Sequence, residues 1–291
     1  MGKIIKILKM IKFEHSVFAL PFALMSAFLT EKKLPSIEKL ILIIIAMVAA
    51  RSAAMAFNRF TDLPFDKLNP RTSNWILPQN ELSITFVKAF TMISIAIFIM
   101  STYMLNKICF MLSPIALFII LSYSYSKRFT YLTHFHLGLS LSIAPIGAWL
   151  AIIEKCNLTP ILIAISVILW VAGFDILYAT QDIEFDKKYN LKSIPARYGI
   201  KNALILSSLC HAIMMLPLIL IYFIANMGIF YLAGLLISAI FLTYQHCIIS
   251  TDNLSRLNQA FFTFNGLLSI SIFLFTTLDI YYTKNILYIT K

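Results

Sequence analysis

Apolar positions run along this chain in blocks of about twenty, separated by short polar stretches, with neither the 3.6-residue nor the two-residue alternation of a soluble core. Blocks of that length match the hydrocarbon thickness of a bilayer crossed by a helix. Nine such spans can be drawn, at 15–30, 40–60, 84–105, 108–123, 135–153, 160–180, 203–225, 229–249 and 260–282. The fold class expected is all-α: a polytopic membrane protein in which nine helices surround a central cavity. Ahead of them, residues 3–13 carry Lys3, Lys6, Lys9 and Lys12 among isoleucines. That pattern predicts a short interfacial helix, with lysines toward headgroups and isoleucines toward lipid. A cleaved signal peptide would also begin with lysines, but this apolar segment contains Pro21 and opens a series of spans, so a retained first helix is expected. No linker or low-complexity segment divides residues 1–291, and one domain is expected.

Composition strengthens the membrane reading. The chain is 60% hydrophobic and only 13% charged, about half the charged share of an average soluble protein. Its net charge of +11 would raise nucleic acid as a partner in a soluble protein; here it reads as basic loops retained on one side of a membrane. With the N-terminus in the cytoplasm, fourteen lysines and arginines fall on that side and seven on the other. The loops after spans two, four, six and eight then face the cytoplasm, as expected for a bacterial inner-membrane protein with membrane lipid as its surroundings. Nothing in the sequence points to a protein partner. Cys109, Cys156, Cys210 and Cys247 are scattered singly, without zinc-ligand or disulfide spacing. The five histidines make no cluster with metal-ligand spacing and receive no role.

The chemistry is carried by acids. Five of the seven aspartates stand in two regions: Asp62 and Asp66 after span two, and Asp175, Asp182 and Asp186 at the end of span six. An ionised side chain at bilayer depth costs roughly 2.5–3.5 kcal/mol, and grouped carboxylates also repel one another. A divalent cation relieves both penalties. Asp182 and Asp186 are four apart and share a helical face, so they can reach one metal. Mg²⁺ favours one or two carboxylates completed by phosphate oxygens, so a phosphorylated substrate is expected. Pro64 bends the chain between Asp62 and Asp66. Both pairs close an even-numbered span and both precede a basic stretch, which suggests two halves meeting at one cavity. Arg71, Lys127 and Arg128 are candidates to offset diphosphate charge. Arg51, inside span two, faces either a substrate carboxylate or one of the aspartates. Asp175, a turn or two deeper than Asp182, suits a role beside an aromatic ring, orienting its hydroxyl or accepting a proton. Tyr178 stands between the two and can bond to either.

These residues resemble the UbiA superfamily of intramembrane prenyltransferases. Asn58-Arg59-x-x-Asp62-x-x-x-Asp66 followed by Arg71-Thr72 is similar to the family's first motif, and Asp175-x-x-Tyr178-Ala179-x-x-Asp182-x-x-x-Asp186 matches its second. Lys127-Arg128-Phe129-Thr130 looks like its KRxT segment, and the resemblance runs from Glu14-His15 to about Gly199. It implies a nine-helix bundle with a lateral opening and Mg²⁺-dependent transfer of a polyprenyl group. The implied metal ligands are Asn58, Asp62, Asp66, Asp182 and Asp186. The implied diphosphate contacts are Arg71, Lys127 and Arg128. The implied catalytic residues are Asp175, Tyr178 and Asp182, with Arg51 and Asp175 facing the aromatic acid. The nearest branch by resemblance acts on 4-hydroxybenzoate in respiratory quinone synthesis; the opening and the Asn58-Arg59 pair are also similar to a branch of the futalosine route to menaquinone. A haem or naphthoate acceptor is a rival, and a cation-coupled transporter a more distant one. Two departures stand out: Arg59 replaces the usual acid, and Trp75-Ile76 replaces an Arg-Pro pair.

Overall fold

In hydrocarbon a chain must satisfy its own backbone N–H and C=O groups, and a helix does so within one segment. The computed structural model describes residues 2–13, 16–251, 254 and 256–289, and most of them are helical. In order these are α1 (Lys3–Met10), α2 (Ser16–Glu31), α3 (Ile37–Thr61), α4 (Leu63–Asp66), α5 (Ile84–Leu105), α6 (Lys107–Phe129) and α7 (Thr133–Ile153). Then come α8 (Leu158–Ala179), α9 (Ile183–Lys188), α10 (Ile194–Ile224), α11 (Ile229–Cys247), α12 (Leu257–Gln259) and α13 (Asn265–Ile289). Among the described residues, eight helices are long and apolar enough to cross a membrane. The ninth expected span is α2, which is shorter at 16 residues. At 1.5 Å per residue it rises about 24 Å, less than a typical hydrocarbon core. Glu14 and His15 lie outside the described residues.

The caps follow the polar punctuation. Ser36, Ser83, Asn106, Asn157 and Ser193 each accept a backbone N–H in the first turn of α3, α5, α6, α8 and α10. Two boundaries differ from the sequence expectation. Helix α6 runs on through Lys127 and Arg128 to Phe129, because basic residues suit a helix C-terminus. Helix α10 begins at Ile194, nine residues early, with a break at Gly199, whose φ of +77° suits glycine.

Helix α8 is the axis of the bundle, packed against α7 on one side and α10 on the other. The approach of α7 is close: a Cβ on Gly138 would lie 2.4 Å from the Ile168 carbonyl oxygen. Trp170 of α8 is fully buried, and its indole N–H donates to Asn265 Oδ1 of α13 at 2.7 Å. Helix α1 corrects one expectation. Ile7, Met10 and Ile11 pack on Ala56, Leu63 and Leu77 instead of facing lipid, and Lys6 pairs with Glu81 at 3.0 Å. Its other face keeps Ile4, Ile5 and Leu8 exposed. Helix α1 is thereby fastened to the loop that follows the first acidic motif.

Candidate active site

Proline and a tightened turn shape the two acidic ends. Pro64 has no N–H, and its ring would clash with the carbonyl four residues earlier, so α3 stops at Thr61. The chain restarts as α4 with Pro64 in its first turn, where an N–H is not needed. Asp66 N–H still bonds to the Asp62 carbonyl at 2.8 Å, so the two carboxylates stay on one bent turn. On the other side, α8 ends in a 3₁₀ turn, Thr180–Asp182, before α9 carries Asp186. Asp182 and Asp186 are both buried.

The two sets meet. Asp62, Asp66, Asp175, Asp182 and Asp186 line a single cavity of about 230 Å³. Arg71, from the loop after α4, grips Asp182 with both arms, at 2.9 Å from Nε and 2.6 Å from Nη2. Asn69 adds a third bond to Asp182 at 3.0 Å. Lys127 and Arg128 are adjacent in sequence but serve opposite sets. Lys127 stands 3.6 Å from Asp186, and Arg128 stands 3.6 Å from Asp62. Arg128 is held in place by the Thr61 carbonyl at 2.8 Å. The last turn of α6 therefore bridges the acidic ends of α3 and α8.

Arg59, which takes the place of an expected ligand, turns inward. It lies 3.5 Å from Asp66 and donates to Asn58 Oδ1 at 2.9 Å, while Asn58 Nδ2 donates to Asp62 at 2.7 Å. Each of the four motif acids thus has a basic partner: Arg128, Arg59, Arg71 and Lys127. The carbonyl oxygen of Asn58, expected as a metal ligand, is occupied by Arg59. The second departure explains the first. The Trp75 ring lies 4.5 Å from the Arg59 guanidinium, 4.9 Å from Lys12 Nζ and 5.6 Å from Arg71. One indole collects three cations from three segments. Lys12 and Asn69 received no site role from sequence, and Arg59 and Trp75 stood out only as departures, because their roles depend on contacts across the fold.

Tyr178 corrects another expectation. Its hydroxyl accepts from Arg71 Nη1 at 3.4 Å instead of bonding to Asp175 or Asp182, and its ring packs on Phe261 at 4.4 Å. Asp175 has a partner the sequence concealed, His134, at 2.7 Å. His134 is fully buried in the first turn of α7. Arg51 stands where this cavity joins a second one of about 240 Å³, which is almost entirely apolar. Met55, Asn58, Tyr123, Leu137 and Leu141 also line both, and Ala46, Ala116, Ile120 and Ile143 line the apolar end.

Electrostatics fit a metal completed by substrate. Burial pushes the Asp62 and Asp66 carboxyls above their ordinary value, with the Arg59 charge opposing that shift. Burial works against the charge of Arg71, but the hydrogen bonds and charge of Asp182 outweigh it and raise its pKa. Asp66 Oδ2 and Asp186 Oδ2 are buried with no hydrogen-bond partner. Two carboxylate oxygens on one cavity, each held only by a long ion pair, suit an oxygen-seeking divalent cation. Among the described residues, no three acidic, histidine or cysteine groups already form a metal cage.

Comparison with known proteins decides the family. A model of the UbiA prenyltransferase family matches residues 19–267. The chain belongs to the UbiA prenyltransferase family. It is a prenyltransferase and an integral membrane protein. A 4-hydroxybenzoate octaprenyltransferase of Aliivibrio fischeri is 30% identical over 252 residues, covering 86% of this chain and 88% of that one. One from Vesicomyosocius okutanii is 26% identical over 258 residues, covering 88% and 93%. The apo structure of a UbiA homolog from Aeropyrum pernix superposes with a TM-score of 0.83 at 33% identity, covering 91% of this chain and 98% of that one. A UbiA homolog from Archaeoglobus fulgidus, bound to GPP and Mg²⁺, shares the fold with a TM-score of 0.70 at 21% identity, covering 94% and 99%.

Proposed function

We propose that this UbiA prenyltransferase moves a polyprenyl group from its diphosphate to an aromatic acid, most directly 4-hydroxybenzoate. One observation carries the reading: a charged cavity lined by both acidic motifs continues into an apolar cavity, with Arg51 at the junction. A polyprenyl diphosphate has this shape, a charged head on a long apolar tail. Relatives at 26–30% identity bear the name 4-hydroxybenzoate octaprenyltransferase, which supports the acceptor. Arg51 lines both cavities, so a substrate carboxylate at the edge of the diphosphate site would lie within its reach.

Asp62, Asp66, Asp182 and Asp186 would hold Mg²⁺, with Asn58 orienting Asp62. When bound, the metal supplies Lewis-acid stabilisation of the departing diphosphate. Arg71 exchanges Asp182 for a phosphate oxygen, and Lys127 and Arg128 turn from their acids toward the same group. The allylic C–O bond breaks, and its electron pair leaves with the diphosphate. Tyr178 and Phe261 present aromatic faces near the carbon that becomes cationic. Asp175 accepts a hydrogen bond from the phenol and raises electron density at the ortho carbon, which attacks. The new C–C bond forms, and the ring carbon gives its proton to an oxygen of the departed diphosphate to regain aromaticity. The apolar wall of the cavity keeps water from the cation. The basic loops support a cytoplasmic site for this chemistry, in a bacterial inner membrane.

The test is to incubate purified protein with geranyl diphosphate, Mg²⁺ and a panel of acceptors, and to weigh the products. Prenylated 4-hydroxybenzoate is expected. Product from a naphthoate or haem alone would reassign the acceptor. Absence of any product, with cation flux in sealed vesicles, would overturn the reading in favour of transport.

A further inference from the structure

The His134–Asp175 pair offers more than a buried contact. His134 Nδ1 lies 2.7 Å from Asp175 Oδ2. Its other ring nitrogen, Nε2, accepts the backbone N–H of Ile194 at 3.3 Å. A nitrogen that accepts a hydrogen bond carries no proton. The bond from Ile194 therefore fixes the tautomer: the proton sits on Nδ1 and is donated to Asp175. A proton on Nε2 would set Nε2–H against the Ile194 N–H, donor to donor, in a fully buried place. The ring thus donates to Asp175 and accepts from Ile194.

The donor of that bond has its own logic. Ile194 is the first residue of α10, and its N–H is one of those a helix cannot satisfy internally. His134 is thereby fixed to the segment that follows the second acidic motif. It has no rotational freedom with which to release Asp175. Asp175 lines the charged cavity, and it is Oδ2 that His134 holds.

We propose that His134 is the positioning residue of the acceptor site: it holds one oxygen of Asp175 so that the other faces the substrate phenol as a fixed hydrogen-bond acceptor. This rests on the role given to Asp175 above. Once the C–O bond has broken and its electron pair has left with the diphosphate, the phenol proton passes to Oδ1 as the ortho carbon bonds to the allylic cation. The ring is then a neutral dienone. Its sp³ carbon gives a proton to a diphosphate oxygen, Asp175 returns its proton to the ring oxygen, and the phenol and the carboxylate are both restored. His134 exchanges no proton in this sequence. Its contribution is orientation, which elsewhere is worth about 10–100-fold where one group holds another.

Asparagine and glutamine separate the two bonds of the ring. His134→Asn places an amide N–H near the position of Nδ1 and can still donate to Asp175. His134→Gln reaches the position of Nε2 and can accept from Ile194, but leaves Asp175 without its donor. Both keep a buried amide, so comparable thermal unfolding in detergent checks that each is folded. The expected result is kcat within about 5-fold of wild type for His134→Asn and about 10–100-fold lower for His134→Gln. KM for geranyl diphosphate should stay within about 3-fold in both, because the pair acts on the acceptor. In an Asp175→Asn background His134→Gln should cost no more than about 2-fold further, since its effect passes through Asp175. Equal kcat for the two variants, or a His134→Gln loss that persists in full in the Asp175→Asn background, overturns the proposal. An Asp175→Asn enzyme with wild-type kcat would overturn the role of Asp175 as well, which distinguishes the two failures.

Discussion

Arg71 yields a prediction that runs against intuition. Its guanidinium neutralises Asp182 through two charge-assisted bonds, at 2.9 and 2.6 Å, while Asn69 supplies only a neutral third. A metal that uses Asp182 must first displace Arg71. Arg71→Gln removes that internal competitor. Hydrogen bonds to charged groups contribute about 1.5–3 kcal/mol each, and since the Arg71 side chain is 28% exposed the pair is set at about 2 kcal/mol in total. At about 1.4 kcal/mol per decade, Mn²⁺ should bind about 30-fold more tightly to Arg71→Gln than to wild type when no diphosphate is present. Catalysis should move the other way, because a cation expected to swing onto the diphosphate is gone; kcat/KM should fall by about 100-fold or more. The assay is Mn²⁺ titration in detergent, followed by electron paramagnetic resonance of the free ion, beside steady-state kinetics with geranyl diphosphate. Unchanged or weaker Mn²⁺ binding in the variant would refute the view that Arg71 occupies the metal's ligand.

Other substitutions test other parts of the site. Trp75→Leu removes the ring shared by Arg59, Lys12 and Arg71; at about 0.5–2 kcal/mol for the lost cation–π contact, KM for the prenyl diphosphate should rise about 2- to 30-fold. Arg51→Leu should raise KM for 4-hydroxybenzoate and leave that of the prenyl diphosphate unchanged; an unchanged acceptor KM would remove Arg51 from the acceptor site. Ala116→Trp fills part of the apolar cavity, so turnover of long donors should fall while geranyl diphosphate is still used, as measured by product mass across donors of increasing length. Gly138→Ala places a Cβ against the Ile168 carbonyl at a position where backbone must move, and should destabilise the protein by about 1–3 kcal/mol, read as a lower thermal midpoint.

What the sequence conveyed depended on how local each signal was. Spans were readable because apolar length is a one-dimensional property, and the acids stood out because carboxylates are rare in such a chain. The bend at Pro64 was readable because proline acts on its own neighbours. Helix α1 was misread in part because an apolar stripe suits lipid or protein equally; only the fold shows Ile7, Met10 and Ile11 against Leu63 and Leu77. Arg59 looked like a lost ligand, and its pairing with Asp66 on the face of Trp75 needs the loop to fold back across the cavity. His134 was invisible for a related reason. Its partners, Asp175 and Ile194, are 41 and 60 residues away, and no periodicity links them. The pair of buried His211 and half-buried His246, 2.8 Å apart between α10 and α11, escaped notice in the same way.

The convergence of Asp62 and Asp66 with Asp182 and Asp186 on one metal–diphosphate site is tested most directly by anomalous scattering from Mn²⁺ in crystals grown with an unreactive prenyl diphosphate. Manganese bound about 2.0–2.3 Å from carboxylates of both sets, with the diphosphate between them, is the expected result. Manganese on one set alone, with the diphosphate held elsewhere, would contradict it.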